Sequence, residues 1–224
     1  MTYLQKNREF ILHLLMTFTA GITGAYAVLF RGTFAQAQTA NLIYLFLHLV
    51  VDRSPFDVLF RVLSLILFCA GLTGGHLALR KFSREKAEFL CILVEVTGIL
   101  IAGLIPEDIA VLPAVLPIFA LTGCQWSIFN GANGIACSTI FCSNNTKQAL
   151  FGFVDYLLDR DAKDLRRGLF FLATLISFYA AVTIHAPLIQ RFGVRSVWFA
   201  FLPLGIAALV CLADSHSREA TPAC

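Results

Sequence analysis

Long apolar runs alternate with short charged clusters along the whole chain. The stretches 10–30, 33–51, 62–79, 109–146, 168–190 and 196–213 contain no Asp, Glu, Lys or Arg, and 89–106 is interrupted only by Glu95. A helix needs about 20 apolar residues to cross a hydrocarbon core of roughly 30 Å. The pattern therefore predicts an all-α, polytopic membrane helix bundle of about six spans, near 10–30, 58–80, 88–106, 111–131, 167–190 and 195–213.

Two of these apolar stretches do not fit a simple span. As one straight helix at about 1.5 Å per residue, 109–146 would overshoot the hydrocarbon core almost twofold. The glycines and asparagine of 131–134 are the natural place for a break. Polar residues follow this break, and they also occupy the start of 33–51. The distribution of basic residues, given below, leads us to expect 33–51 and 135–158 to be re-entrant or interfacial segments.

The order of polar residues predicts an internal repeat. Asn41 precedes Asp52-Arg53 much as Asn145 precedes Asp159-Arg160, and a long apolar helix follows each acidic-basic pair. This alignment divides the chain into repeat one, 10–106, and repeat two, 111–213. Chance similarity between apolar segments is the alternative interpretation.

The basic residues favour one topology. With three spans in each repeat, 12 Lys and Arg side chains lie on the cytoplasmic side and 5 lie outside, whereas eight crossings would divide them 9 to 8. The positive-inside rule therefore predicts six spans with both termini in the cytoplasm. Because three is an odd number, the second repeat would enter the membrane from the opposite side, as in many secondary transporters.

Composition narrows the class of protein further. Of 224 residues, 58% are hydrophobic and 14% are charged, against about 45–50% and 25% in soluble domains. The chain is thus predicted to be a single membrane domain over 1–224, with the lipid bilayer as its main partner. The net charge of +3 is small and dispersed, so nucleic-acid binding has no support.

Several motifs resemble the YoaK family of small bacterial inner-membrane proteins. They are the run 19–26, the run Arg31-Gly32-Thr33-Phe34-Ala35-Gln36-Ala37-Gln38-Thr39-Ala40-Asn41, and Cys142-Ser143-Asn144-Asn145. The resemblance implies a multi-pass location in the bacterial inner membrane and a domain of unknown function. The chain departs from the family pattern at Ala40 and Asn144, where family members usually have glycine, and at Gly24, where they have Asp.

Neutral polar residues beside the two breaks form the first candidate site. Amide and hydroxyl groups there could bind a small solute, because transporters place substrates where transmembrane helices are interrupted. The alternative is that these groups only join helices, at about 0.6 to 2 kcal/mol per contact. The candidates for a polar cavity are Gln36, Gln38, Thr39, Asn41, Gln125, Asn130, Asn144 and Asn145.

Ionisable residues within apolar spans form the second candidate site. Glu95 lies in mid-span, where a charge costs about 2.5 to 3.5 kcal/mol on insertion scales. We expect Glu95 to point into the bundle within hydrogen-bond reach of a polar group on another helix, with His76 or His185 as possible partners. These three residues are candidates for proton coupling, and a purely structural role is the alternative.

No catalytic, metal or cofactor site is predicted. The chain has no phosphate loop, no H-E-x-x-H, no G-x-S-x-G and no C-x-x-C motif, so an enzyme is not expected. Two functions remain, a small-solute transporter or permease and a non-transporting scaffold or accessory subunit. A transporter this small would act as a homodimer or would bind its unknown solute between its own two halves.

Overall fold

The structure is a computed structural model that describes residues 3–219, with side chains for 7–213. It is an all-α bundle with one very short strand pair. The α-helices are α1 Tyr3–Ala25, α2 Gln38–Leu47, α3 Pro55–Lys81, α4 Arg84–Leu104, α5 Val111–Ile128, α6 Cys142–Asp159, α7 Ala162–Phe192 and α8 Phe201–Glu219. π-Helical turns at Tyr26–Phe30 and His48–Asp52 extend α1 and α2, a 3-10 segment at Gly193–Ala200 precedes α8, and β1 Gly131–Ala132 pairs antiparallel with β2 Ile135–Ala136.

Five stretches of the described chain are long and apolar enough to cross a membrane. They are Asn7–Phe30, Pro55–Lys81, Arg84–Leu104, Val111–Ile128 and Ala162–Ala213. The last stretch contains 52 residues and includes both of the final spans predicted from the sequence. Within it, Gly193 has a φ of 53°, a left-handed conformation that suits glycine, and the chain turns there. A multi-pass membrane protein is thus confirmed by helix composition.

Contacts between helices show which helices run in the same direction. Arg8 binds Glu88, and Tyr26 donates to the Ala102 carbonyl, so α1 and α4 are parallel. α1 and α7 are also parallel, because His13 contacts Thr174 and Gly21 lies against Phe178 and Ala181.

The other three long helices, α3, α5 and α8, run the opposite way. Gly71 lies against Ala120 and Gly75 against Ser127, so α3 and α5 are parallel to each other. α5 is antiparallel to α4, since Cys91 contacts Cys124 while Gly98 contacts Leu121. α8 is also antiparallel to α4, because Trp198 lies beside Gly103 and Cys211 accepts from Arg8 near Glu88. Thus α1, α4 and α7 point one way and α3, α5 and α8 point the other.

The main core lies between α1, α4, α5 and the segment that leads into α8. Its largest fully buried side chains include Leu12, Tyr26, Ile92, Phe119 and Leu204. By contrast, α2 and α6 each turn many apolar side chains outward, for example Phe46 and Leu158, which are 62% and 75% exposed. Such exposure fits contact with lipid, which is as apolar as these side chains.

Candidate functional site

The chain after α1 folds back along α1. Arg31, at the end of α1, donates to the carbonyl of Ile105 at 2.9 Å. Gln36 then donates to the carbonyl of Ala20 at 2.8 Å and to the Thr23 hydroxyl at 3.3 Å. Ala20 lies about midway along the apolar stretch Asn7–Phe30, so α2 begins near the middle of α1. The carboxamide of Gln36 occupies the space beside Gly24, where a Cβ would come within 2.8 Å of its Oε1 atom.

The chain after α5, residues 129–141, follows a corresponding path from the other end of α1. We call the segments 31–37 and 129–141, which lead into α2 and α6, the two excursions. The Asn133 amide donates to the Glu9 carboxylate near the start of α1. The chain then returns to the middle of α1, where Gln125 donates to both the Thr139 hydroxyl and the Met16 carbonyl at 2.9 Å. The first turn of α6 follows at once. The two excursions therefore reach the middle of the bundle from opposite ends.

A cavity of about 690 Å³ lies where the two excursions meet, and we call it the central cavity. The first turns of α2 and α6 both line it, together with aromatic side chains from α5 and α7. Phe34, Trp126 and Tyr179 are 40%, 37% and 53% exposed, so the cavity opens at the surface of the bundle. The lining residues are Phe34, Ala37, Gln38, Thr39, Trp126, Ile140, Phe141, Cys142, Ser143, Asn144, Phe178 and Tyr179. This volume is in the usual range for a small-molecule pocket.

Both helices that begin at the central cavity lack a side-chain cap. Ala37 and Phe141 hold the cap positions of α2 and α6, and neither accepts a hydrogen bond there through its side chain. The first N–H groups of a helix have no partner within the helix, and its N-terminus carries about half a positive charge. The Gln38 amide already donates to the Gln36 carbonyl at 3.2 Å, so the remaining first-turn N–H groups of the two helices are the donors available at the cavity, together with the positive potential of both N-termini.

Asn41 and Asn145 hold the starts of α2 and α6 against the backbone that precedes them. Each side chain donates to the carbonyl seven residues earlier, Asn41 to Phe34 at 3.0 Å and Asn145 to Ser138 at 2.7 Å. Arg61 of α3 also donates to the Asn41 side chain. These bonds hold each turn closed, so the first turns of α2 and α6 keep a defined position.

The predicted polar residues divide into three groups. Gln38, Thr39 and Asn144 line the central cavity. Gln36, Gln125, Asn41 and Asn145 are buried and hold the surrounding backbone in place. Asn130 is exposed, and its carbonyl accepts from the Cys137 amide at 3.0 Å.

The aromatic lining was missed in the sequence analysis. Phe34 and Phe141 precede α2 and α6, while Trp126 comes from α5 and Phe178 and Tyr179 from α7. Trp126 and Phe141 meet edge to face with ring centroids 4.7 Å apart. Only the pairing of an aromatic residue with each polar break, at Phe34 and at Phe141, was visible in the sequence.

No hydrogen bond or ion pair joins the proton-coupling candidates in the described part of the chain. Glu95 is buried at 1% exposure, as expected, but its Oε1 atom has no hydrogen-bond partner among the described residues. His76 is exposed on α3. His185 is buried, and neither of its ring nitrogens has a partner among residues 7–213. The expected hydrogen bond to Glu95 is therefore not found in this part of the chain.

No metal centre is evident in the described part of the chain, where no group of three or more His, Cys, Asp and Glu side chains is placed to hold an ion.

One family model matches the chain over residues 12–210. Its description is "Protein of unknown function (DUF1275)". No curated protein and no solved structure matches the chain. The match covers all of the helices that build the central cavity.

Proposed function

Because the chain belongs to the DUF1275 family, whose description names no function, we propose a function from the geometry of its site. The protein is a small-solute permease, and its substrate binds in the central cavity. The observation that carries this proposal is that the first turns of α2 and α6, which enter from opposite ends of the bundle, line the same cavity. Transporters place substrates in this way, between discontinuous helices near the middle of the membrane.

The directions of the helices support a topology of six crossings. Taken in chain order, α1, α3, α4, α5, α7 and α8 alternate in direction, as the contacts of Arg8, Gly71, Cys91 and Trp198 indicate. If α2 crossed the membrane, α3 would run parallel to α1. The segments with α2 and α6 therefore return to the side from which they came.

The same directions support an inverted repeat. The order α1, α3, α4 in one half corresponds to α5, α7, α8 in the other with every direction reversed. Local hydrogen bonds agree, since the first half pairs Thr23 with Gln36 and the second pairs Gln125 with Thr139. In each pair, a side chain on the first helix of the half binds one in the excursion that follows.

The location of the central cavity bears on whether so small a transporter must act as a homodimer. A single copy supplies both re-entrant segments, so the permease needs no second copy to form its cavity, and a homodimer is not required. We place the protein in the bacterial inner membrane with both termini in the cytoplasm, on the basis of its basic residues and its resemblance to small inner-membrane proteins.

The test is solute flux into vesicles that contain the purified protein. We expect uptake of one or more small metabolites above the level of empty vesicles. Asn144→Trp fills the central cavity and should reduce this uptake to that level. Thr146→Trp is the matched control, because Thr146 is exposed on the same helix and does not line the cavity.

The other candidate role predicts a different outcome. A scaffold or accessory subunit would give no uptake of any solute, and both tryptophan variants would behave like the unmodified protein. Equal loss of uptake in Asn144→Trp and Thr146→Trp would also contradict the proposed site, because the effect would then not depend on the cavity.

A further inference from the structure

The lining of the central cavity indicates the chemical class of its ligand. Five of its lining residues are aromatic, contributed by α5, α7 and the turns before α2 and α6. Its polar side chains are neutral, chiefly Gln38, Thr39, Ser143 and Asn144. Among the described residues that line it, none is Asp, Glu, Lys, Arg or His.

A cationic ligand does not fit this lining. Aromatic faces attract cations such as quaternary ammonium groups, so the aromatic rings alone would permit one. However, two helix N-termini border the cavity, each with about half a positive charge, and no carboxylate among the described lining residues compensates them. The local potential therefore opposes a cation.

A fully ionised anion does not fit well either. The helix N-termini would attract it, but no Arg or Lys among the described lining residues could pair with its charge. Moving an unpaired charge out of water into an apolar site is costly. A neutral molecule with carbonyl oxygens avoids this cost and can still accept hydrogen bonds from the N–H groups of both helices.

The rings favour a flat molecule over a flexible one. Trp126 and Phe141 meet at 85° and Phe178 and Tyr179 at 80°, so each pair presents one ring face beside one ring edge. Flat heterocycles stack on aromatic faces whatever their substituents, because each has a π-face of its own. The Gln38 side chain donates one N–H to the Ala35 carbonyl at 3.2 Å, so its second N–H and the amide of Asn144 can donate to the carbonyl oxygens that such rings carry.

We propose that the central cavity binds a planar, uncharged heteroaromatic solute of nucleobase size. The ring stacks on Trp126, and its carbonyl oxygens accept hydrogen bonds from the Gln38 and Asn144 side chains. This assignment rests on the permease function proposed above, since it names the substrate class of the same site.

Tryptophan fluorescence tests the assignment directly. The chain has two tryptophans, and Trp198 lies away from the cavity, beside Leu100 and Gly103. In a Trp198→Phe protein, Trp126 is the only tryptophan and reports on the cavity. We expect saturable quenching by uracil or hypoxanthine, and none by choline, benzoate or glycerol.

Variants of Trp126 separate stacking from folding. Uracil or hypoxanthine should raise the melting temperature of the unmodified protein, since a ligand that binds only the folded state stabilises it. Trp126→Phe keeps a ring and should retain a weaker stabilisation, whereas Trp126→Ala should lose it. Stabilisation of Trp126→Ala equal to that of the unmodified protein would overturn the stacking role.

The outcomes distinguish this inference from the permease function. Binding and uptake of glycerol or choline, with no response to uracil or hypoxanthine, would overturn the ligand class and leave the permease function supported. Saturable binding of uracil or hypoxanthine without uptake of any solute would support the ligand class and overturn the permease function. No response to any heteroaromatic compound by the folded protein overturns the inference.

Discussion

Buried charges hold the two ends of α1 against α4. Arg8 binds Glu88 at 2.6 Å at one end, and at the other end Arg31 donates to the carbonyls of Ile105 and Pro106 after α4. The carbonyl of Ile105, the C-cap of α4, is one of those that a helix leaves without an internal partner, and Arg31 satisfies it. Single side chains thus fix the position of the helix on which both excursions are anchored.

Glu88 allows a matched comparison between a buried and an exposed ion pair. Its partner Arg8 has a side chain that is 10% exposed, whereas its partner Arg84 is 45% exposed. Removing one partner of a buried pair costs about 3 to 5 kcal/mol, while an exposed pair is worth roughly 0 to 1 kcal/mol. We expect Arg8→Met to lower the melting temperature in detergent strongly and Arg84→Met to lower it little. Equal losses would contradict the importance of burial.

Glu95 is the residue with which to test proton coupling. It is buried and its Oε1 atom has no hydrogen-bond partner in the described part of the chain, so a role in joining helices has little support. Glu95→Gln keeps the size of the side chain but cannot titrate. We expect this variant to fold normally, to lose uptake driven by a pH gradient, and to keep exchange of solute between the two sides. Normal gradient-driven uptake would rule out coupling through Glu95.

At the scale of elements, α2 and α6 end in the same way. Arg53 follows the π-helical turn that extends α2, and Arg160 follows α6. Their φ values are 50° and 58°, a left-handed conformation that commonly terminates a helix. The next residues, Ser54 and Asp161, cap α3 and α7 by accepting from a backbone amide in the first turn. This turn sends the chain from each short helix directly into a long one.

The close contact between α3 and α5 requires glycine at position 71 but not at position 74, one helical turn away. A Cβ on Gly71 would clash with the backbone carbonyl of Ala120, whereas Gly74 has no atom within 4 Å of the corresponding point. Overpacking of this kind costs about 1 to 3 kcal/mol. We therefore expect Gly71→Ala to lower the melting temperature and the yield of monodisperse protein, while Gly74→Ala leaves both unchanged. A silent Gly71→Ala would show that α3 and α5 can move apart at little cost.

At the scale of the whole molecule, the excursions enter the bundle from opposite ends and stop at the same level of α1. The chain binds the Ala20 carbonyl through Gln36 and the Met16 carbonyl through Gln125, one helical turn apart. Because the two segments meet there, a cavity forms between them without any break in the six long helices. This arrangement accounts for the position of the central cavity midway along the bundle.

The proposed topology can be tested by labelling single cysteines in intact cells. The seven native cysteines are first replaced, and the resulting protein is checked for folding. We expect a membrane-impermeant thiol reagent to label Ser54→Cys from outside and to reach Ser83→Cys and Lys163→Cys only after the membrane is opened. Eight crossings would instead place position 54 inside and position 83 outside.

The long helices and the two interruptions could be predicted from the sequence. The helices α3, α4, α5 and α7 begin and end within about five residues of the predicted spans, whereas α1 begins earlier and α8 later than predicted. The agreement arises because the cost of placing a charge in an apolar helix is a local property of the chain. Asn41 and Asn145 were also recognised as corresponding residues, and each makes the same bond to the carbonyl seven residues before it. The donor and the acceptor of that bond are only seven residues apart, so the residues that make it can be recognised in the sequence.

Other features depended on contacts between residues far apart in the chain. The burial of Glu95 was predicted from its place in an apolar span, but its neighbour Cys124 lies on α5, and the sequence does not show that the two are close. Likewise, the exposure of His76 is set by the rotation of α3 against α5, which follows from the close approach at Gly71. The sequence by itself determined the all-α membrane class, the long apolar helices and the polar interruptions, because apolar transfer and helix breaking act locally. The tertiary structure alone decided that Phe34, Trp126, Phe141 and Tyr179 share one cavity, because helix packing brings together four segments that are distant in sequence.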